Sequence, residues 1–520
     1  MNWKRYKGLS KEEKRDEIYY IIGLDIGNDS SGIAFYNLVE NEPEMIDLSG
    51  GYGRPTIPTV MQYIAESKEW VFGEYAILNR GMGREITLSA LFERLGRSEY
   101  VDIDNRPMSV VSLLGMYIRE LLSNVKLINP KAEIAGIVAS VPSYFSETAR
   151  NEFVRAIKSA GYEKELIGLV SDRECVFAHH FRTSGSRAER GLLIDYGARG
   201  VRGGVYSAKE KGDTIALRSL SSLFDDNIGT QYIIEQVREL FTGFYLKNNP
   251  IQARQQMERQ LQEQLKAFVY QHKDILFQKA IRNKPSKLYF NFAFPPFQQT
   301  VTAEISDKLV EPFRQGFNRF IREVLEKNLY ENEKITAMDI DTVLCVGGGF
   351  EMLWTREVLS ALFPQEKLRL YRNSKAVTAM GAATVAALKL EAIEGHTVVI
   401  EDSHQLSLDI GLAVGQEKMV PLAECNSFWW QKHPAKLFIV NSPVEGAIPL
   451  TIVSRSPDGD VKTLSKVQLV GLPTRPKGTT RLSVTLKFLS DKEATATIAD
   501  CGFGELFPKT DYVREIAVRL

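Results

Sequence analysis

Cysteine and histidine are scarce in these 520 residues, and no excess charge of either sign is present. The four cysteines, Cys175, Cys345, Cys425 and Cys501, lie far apart without CxxC spacing. That pattern excludes a disulfide framework or a cysteine zinc site and reads as free thiols in a reducing compartment. The six histidines show no metal spacing; the adjacent pair His179 and His180 has poor ligand geometry on a helix and is expected to be partly exposed. Lys plus Arg number 65 and so do Asp plus Glu, which argues against nucleic acid as the main partner. No run approaches 18 apolar residues, so no membrane span is expected, and the charged start MNWKRYKGLSKEEKRDE lacks the apolar core of a signal peptide. The expectation is a soluble, cytoplasmic protein of roughly two to four domains.

What is present is a recurring turn. Ile21 to Gly32 reads IIGLDIGNDSSG: an apolar run ends at Asp25, Gly27 and short polar residues follow, and Ile33, Ala34 and Phe35 resume the apolar run. This is strand, tight turn, strand. Glycine and short polar residues leave backbone N–H groups open to an anion, and an acid at the strand end can hold a metal-bound water, although a plain buried hairpin reads the same way. A second copy, Gly191 to Gly204, reads GLLIDYGARGVRGG, with Asp195 and Gly197 in the places of Asp25 and Gly27. Two such turns facing each other could clamp one phosphate chain.

Around these turns strands and helices alternate, which means α/β. Thr56–Val60 and Trp70–Ala76 read as strand and turn, Val110–Val125 as a helix, Ile134–Val141 as a buried strand, and Ser146 opens a helix that Gly161 stops. In the second half Val205–Ser207 and Ile215–Leu220 read as strands, Gly229–Phe241 as a helix, and Gln252–Asn283 as a charged helical stretch with a solvated face. Lys287–Phe294 and Thr300–Glu304 alternate as strands, and Ser306–Lys327 is helical. A buried strand at Thr342 runs into Gly347, Gly348 and Gly349, and Ala376–Leu388 is a helix of very small residues suited to close contact. From Leu406 the pattern becomes six short strands without helices between them, a separate all-β module.

The order of these motifs resembles the DnaK-type heat-shock 70 chaperone family from about Tyr19 to the C-terminus. GLDIGNDS is similar to that family's first phosphate turn and VASVPSYFSETARNEFVRAIKSAG to its strand-Pro-Tyr-Phe-helix segment. LLIDYGARG falls at the second phosphate turn, IDTVLCVGGGF at the adenosine turn and AVTAMGAATVAAL at the second connecting helix. VVIEDSHQLSLDIG matches the apolar-acidic linker and the first strand of the peptide-binding domain. Residues 1–18 read as a charged, solvated extension, and the resemblance implies an actin-like two-lobed ATPase fold of duplicated ribonuclease H-like subdomains over 19–395. A linker over 396–404 and a β-sandwich over 405–520 without the family's helical lid would follow. The implied cofactors are ATP or ADP with Mg²⁺, and the implied partners are unfolded or extended polypeptide and co-chaperones. Asp25, Asp172 and Asp195 would be the catalytic acids, with Asp25 and Asp195 holding Mg²⁺ through waters. The nucleotide-binding set would be Gly27, Asn28, Asp29, Gly197, Ala198, Arg199, Gly229, Gly347, Gly348 and Gly349. Val399, Ile400 and Asp402 would form the docking linker. Ile410, Phe438, Ile448 and Leu450 would line the peptide pocket, although alternation alone reads those four as sandwich core.

The departures from the family cluster at the phosphates. Its lysine after the Gly-x-x-Ala turn matches Ile77, its two threonines match Asn28 and Asp29, a threonine matches Gly200, an acid matches Arg202, and a glutamate matches Asp172. Losing one preorganised charged donor costs about 10²–10³ in rate, so ATP hydrolysis is expected to be slow or absent. Arg199 and Arg202 could bring positive charge to the phosphates in place of Mg²⁺, or could be solvated arginines on a turn. Three readings compete: a nucleotide-coupled chaperone, a pseudo-ATPase interaction scaffold, and an actin-fold sugar kinase, which leaves 405–520 unexplained.

Overall fold

The computed structural model describes residues 19–520 apart from 49–53, 79–84, 129–132, 143–144, 146, 226, 249–257, 278–282, 294, 327–334, 372, 402–405, 407, 415–417, 426, 428, 430–432, 456–460 and 489–492. The expected extension 1–18 and the linker residue Asp402 therefore lie outside the described residues. The chain divides into two compact units, residues 1–142 with 149–401, and residues 402–520 with 143–148.

The first unit is built on two sheets with one plan. In the first sheet Tyr19–Ile26 runs antiparallel to Ser30–Asn37 and parallel to Glu133–Val141, which is parallel to Leu166–Ser171. In the second, Glu189–Tyr196 runs antiparallel to Val201–Lys211 and parallel to Thr342–Val346, which is parallel to Leu368–Leu370. The central strand of each is apolar on both faces because helices cover both sides, as parallel sheets require. Ile21, Ile22 and Leu24 are fully buried in one, Leu192 and Ile194 in the other.

The small-residue helix Val377–Lys389 carries Ala379, Ala382, Ala383 and Ala386 against the first sheet. Its contacts are backbone-close. A Cβ on Gly23 would lie 2.1 Å from the Ala379 carbonyl oxygen, and one on Gly381 would lie 1.7 Å from that of Cys175. Cys175 belongs to the helix Asp172–Ser184, which Ser171 and Glu174 open with a reciprocal capping box and Gly185 closes at φ 67°. These caps satisfy amide and carbonyl groups that a helix end leaves without partners.

Several expectations are corrected. His179 and His180 are buried, not partly exposed: the sheet beneath the helix supplies Glu189, whose carboxylate lies 2.8 Å from His180 Nε2 and accepts from the Tyr206 hydroxyl at 2.6 Å. The strand expected over Thr300–Glu304 ends at Val301, because Thr302 caps a helix at Ala303–Glu326: its side chain accepts from the Ile305 amide and its carbonyl from Ser306. The strand and turn expected over Trp70–Ala76 are a strand ending at Phe72 and a turn at Gly73, φ 60°, but the chain then enters a short helix, Glu74–Leu78, that was not expected.

Among the described residues the second unit has eight strands, not six. Lys418–Ala423, Asp409–Val414, Ile448–Arg455 and Val461–Leu469 form one antiparallel sheet, and Lys436–Val440, Thr480–Phe488, Glu493–Asp500 and Val513–Arg519 another. Both contribute to one core, with Ile410 and Ile452 from the first and Val484, Ala496 and Val518 from the second. The two strands missed, Lys418–Ala423 and Val513–Arg519, lie at sheet edges; one contains Pro421 and the other alternates charge with apolar residues, as edges tolerate.

Candidate functional site

Each of the two large sheets of the first unit offers a hairpin turn at the end of its central strand. Asp25 pairs with Gly32 across the first hairpin, and Asp195 pairs with Arg202 across the second. The Gly27 amide donates to the Ser30 carbonyl at 3.0 Å, and the Gly197 amide to the Gly200 carbonyl at 2.9 Å. Both glycine amides are therefore engaged within their own turns. Gly229 lets the helix Thr230–Asn248 start against the second turn: a Cβ there would lie 2.3 Å from the Ala198 oxygen, while the Thr230 and Gln231 amides donate to Gly197 and Ala198.

The three acids, which come from different elements, interact. Asp25 ends the first hairpin strand, Asp195 the second, and Asp172 begins a helix. Burial pushes Asp25 up to about 7; the Ser140 hydroxyl, hydrogen-bonded to Oδ1, opposes this, and the charges of Asp172 and Asp195 add to it. Asp195 is pushed up to about 6 by burial, with Arg202 pulling it down and Asp172 pushing it up. Half-buried carboxylates that repel one another need a cation or a proton. Arg202 answers part of that need at 3.6 Å from Asp172. Carboxylate oxygens suit Mg²⁺ held through waters, the arrangement the resemblance implies. Among the described residues no group of three His, Cys, Asp or Glu is arranged to hold an ion directly.

Gly347, Gly348 and Gly349 lie against the second acid. Gly347 adopts φ 91°, and a Cβ on it would lie 2.7 Å from Asp195 Oδ1; a Cβ on Gly349 would enter the Tyr196 ring. Asn28 has its side-chain Oδ1 buried without a partner, and Asp29 beside it is exposed. Arg199 is ion-paired with Glu93. Ile77 packs with Val60 and Ala76, and Tyr270 closes over them and donates to Glu74 at 3.1 Å, while Arg54 pairs with the same carboxylate. Where the family has a lysine, an apolar contact stands.

Val399 and Ile400 lie in the strand Thr397–Ile400, which pairs in parallel with Thr214–Ser219 and extends the second sheet. The Glu401 amide donates to Leu217, and Glu401 pairs with Lys211 at 2.6 Å. In the second unit Ile410 is wholly inside the core, and Phe438, Ile448 and Leu450 are half-buried against it. Ser140, Lys375, Glu93 and Tyr270 went unnoticed in the sequence. The lysine had one visible signal, a charge directly before a small-residue helix whose next charge is Lys389 at its far end.

Two family models match, a "Family of unknown function (DUF5716) C-terminal" over residues 42–202 and a "Domain of unknown function (DUF8552)" over residues 404–520. Among curated proteins the chain is 22% identical over 499 residues to the chaperone protein DnaK of Thermosipho melanesiensis, covering 94% of this chain and 79% of that one. It is 21% identical to the DnaK of Thermosipho africanus over the same shares, and 22% identical over 502 residues to that of Thermotoga maritima. This distant similarity, running through nearly the whole chain, supports an Hsp70-like family.

Proposed function

We propose that this chain is an Hsp70-like chaperone relative whose first unit, an actin-like domain, binds ATP or ADP between its two sheets and hydrolyses ATP slowly or not at all. The observation that carries the reading is the repeated sheet plan, with Asp25 and Asp195 at equivalent strand ends and the charge of Asp195 close enough to raise the pKa of Asp25. Asp25 and Asp195 would hold Mg²⁺ through waters, and the bound ion would supply positive charge to the phosphates. Ser140 orients Asp25 by donating to it. Arg202 lies 3.6 Å from Asp172, and its charge opposes the upward push of burial on Asp195. Gly347 and Gly349 let the glycine loop pack directly on Asp195 and Tyr196, and Asn28 has a buried side-chain oxygen without a partner. The second unit would be a β-sandwich holding extended apolar polypeptide against Phe438, Ile448 and Leu450, with Val399 and Ile400 in the coupling segment and co-chaperones as further partners.

Slow chemistry follows from the same geometry. The position where the family has a lysine is an apolar contact, and both arginines at the second turn already face carboxylates. Phosphoryl transfer depends on charge placed in advance. Those features also support a second reading, a pseudo-ATPase scaffold that binds nucleotide poorly.

Calorimetry and thermal shift with ATP, ADP and Mg²⁺ separate the two. Saturable binding with turnover far below that of a DnaK is the expected result. No heat and no shift at millimolar nucleotide would leave the scaffold reading standing. Binding that survives EDTA would indicate that protein cations rather than Mg²⁺ hold the phosphates.

A further inference from the structure

We propose that Lys375 is the cation that grips the polyphosphate of a nucleoside di- or triphosphate at this site, an inference that rests on the nucleotide-binding reading above. With Ile77 in an apolar contact, and Arg199 and Arg202 each facing a carboxylate, the site needs another source of positive charge. Lys375 stands in the short turn Ser374–Ala376 that leads into the helix lying on the first sheet. The Gly347 amide donates to the Ser374 carbonyl at 3.1 Å, which ties that turn to the glycine loop of the second sheet. The lysine stem passes over Gly348: a Cβ there would lie 2.5 Å from Lys375 Cε and 3.4 Å from Nζ. The same glycine loop therefore has the Asp195 carboxylate against Gly347 and an ammonium against Gly348.

The ammonium faces carboxylates from three elements. Glu351 lies 3.4 Å away in the turn after the glycine loop, Asp29 belongs to the first hairpin, and Asp274 follows the helix Glu258–His272. Burial works against the charge, and Glu351 and Asp29 outweigh it. An ammonium has three donors, so its ion pair with Glu351 leaves capacity for a phosphate. A further donor awaits a partner: the Ser374 hydroxyl beside it is buried and unpaired. Without Lys375 this set is acidic and would repel a polyanion. With it, a phosphate chain can take over the ammonium from Glu351. The glycine at 348 is what gives the stem room.

The test is calorimetry on the full chain with ATP, ADP and adenosine. Lys375→Met should weaken ATP and ADP by about 10–100-fold, the worth of a charge-assisted hydrogen bond, and leave adenosine unchanged. Lys375→Arg should retain most of the preference for ATP over adenosine, and Glu351→Gln should tighten ATP by releasing the ammonium. Unchanged ATP affinity in Lys375→Met overturns the inference. So does Glu351→Gln weakening ATP as much as Lys375→Met, which would make the pair a structural clasp. Equal thermal melting of the variants without ligand separates a loss of binding from a loss of fold. A wild-type chain that binds neither ATP nor adenosine refutes the nucleotide reading itself, and this one with it. Wild-type binding of ATP with no effect of Lys375→Met refutes this one alone.

Discussion

Asp25 is a stability cost carried by the ligand-free protein, and replacing it with asparagine should reveal how large. Burial and the charges of Asp172 and Asp195 hold its carboxyl at about 7, against 3.8 in an open chain. The folded protein then binds this proton more tightly than the unfolded chain does. The favourable contribution is complete below about pH 4 and is lost as pH rises through about 7. The full gap is worth about 4 kcal/mol at 1.36 kcal/mol per pH unit. Water reaching the half-buried carboxyl lowers this to roughly 2–4 kcal/mol. Asparagine has the same shape, keeps an oxygen to accept from Ser140, and is neutral at every pH. Urea denaturation of the ligand-free protein between pH 5 and pH 8.5 measures the effect. Asp25→Asn should be the more stable form at pH 8 by that amount and should lose most of the decline with rising pH. A smaller slope should remain from Asp195, which burial holds at about 6. A variant no more stable than wild type at pH 8, or one with an unchanged slope, refutes the reasoning.

Two further substitutions probe the packing. Gly381→Ala puts a Cβ 1.7 Å from the Cys175 carbonyl, so it should destabilise by about 2 kcal/mol or more in thermal denaturation; Gly243→Ala, in a helix with nothing within 4 Å, should stabilise by about 0.5–1 kcal/mol. Arg475 and Asp500 form a buried two-pronged pair at 2.8 Å on each arm, so Arg475→Met should cost about 3–5 kcal/mol of the second unit's stability, read from the unfolding transition to which that unit contributes.

The sequence alone determined what local periodicity controls. The two hairpins ending in Asp25 and Asp195 were legible because apolar runs broken by glycine turns look alike wherever they fold. The small-residue helix at Val377–Lys389 was legible because only close contact rewards such composition. Strand alternation after Leu406 gave the character of the second unit but missed its two edge strands, where one face never has to be apolar.

Only the tertiary structure decided which charges meet. His180 is buried because Glu189 and Tyr206 come from the sheet packed against its helix. Arg202 reads as a solvated turn residue until the fold brings Asp172 to it from another segment. Lys375 becomes a candidate phosphate ligand once Gly348, Glu351 and Asp29 surround it. Hydrophobic spacing repeats along a chain and can be read there; the pairing of charges depends on distances between segments remote in sequence, and those exist only after folding.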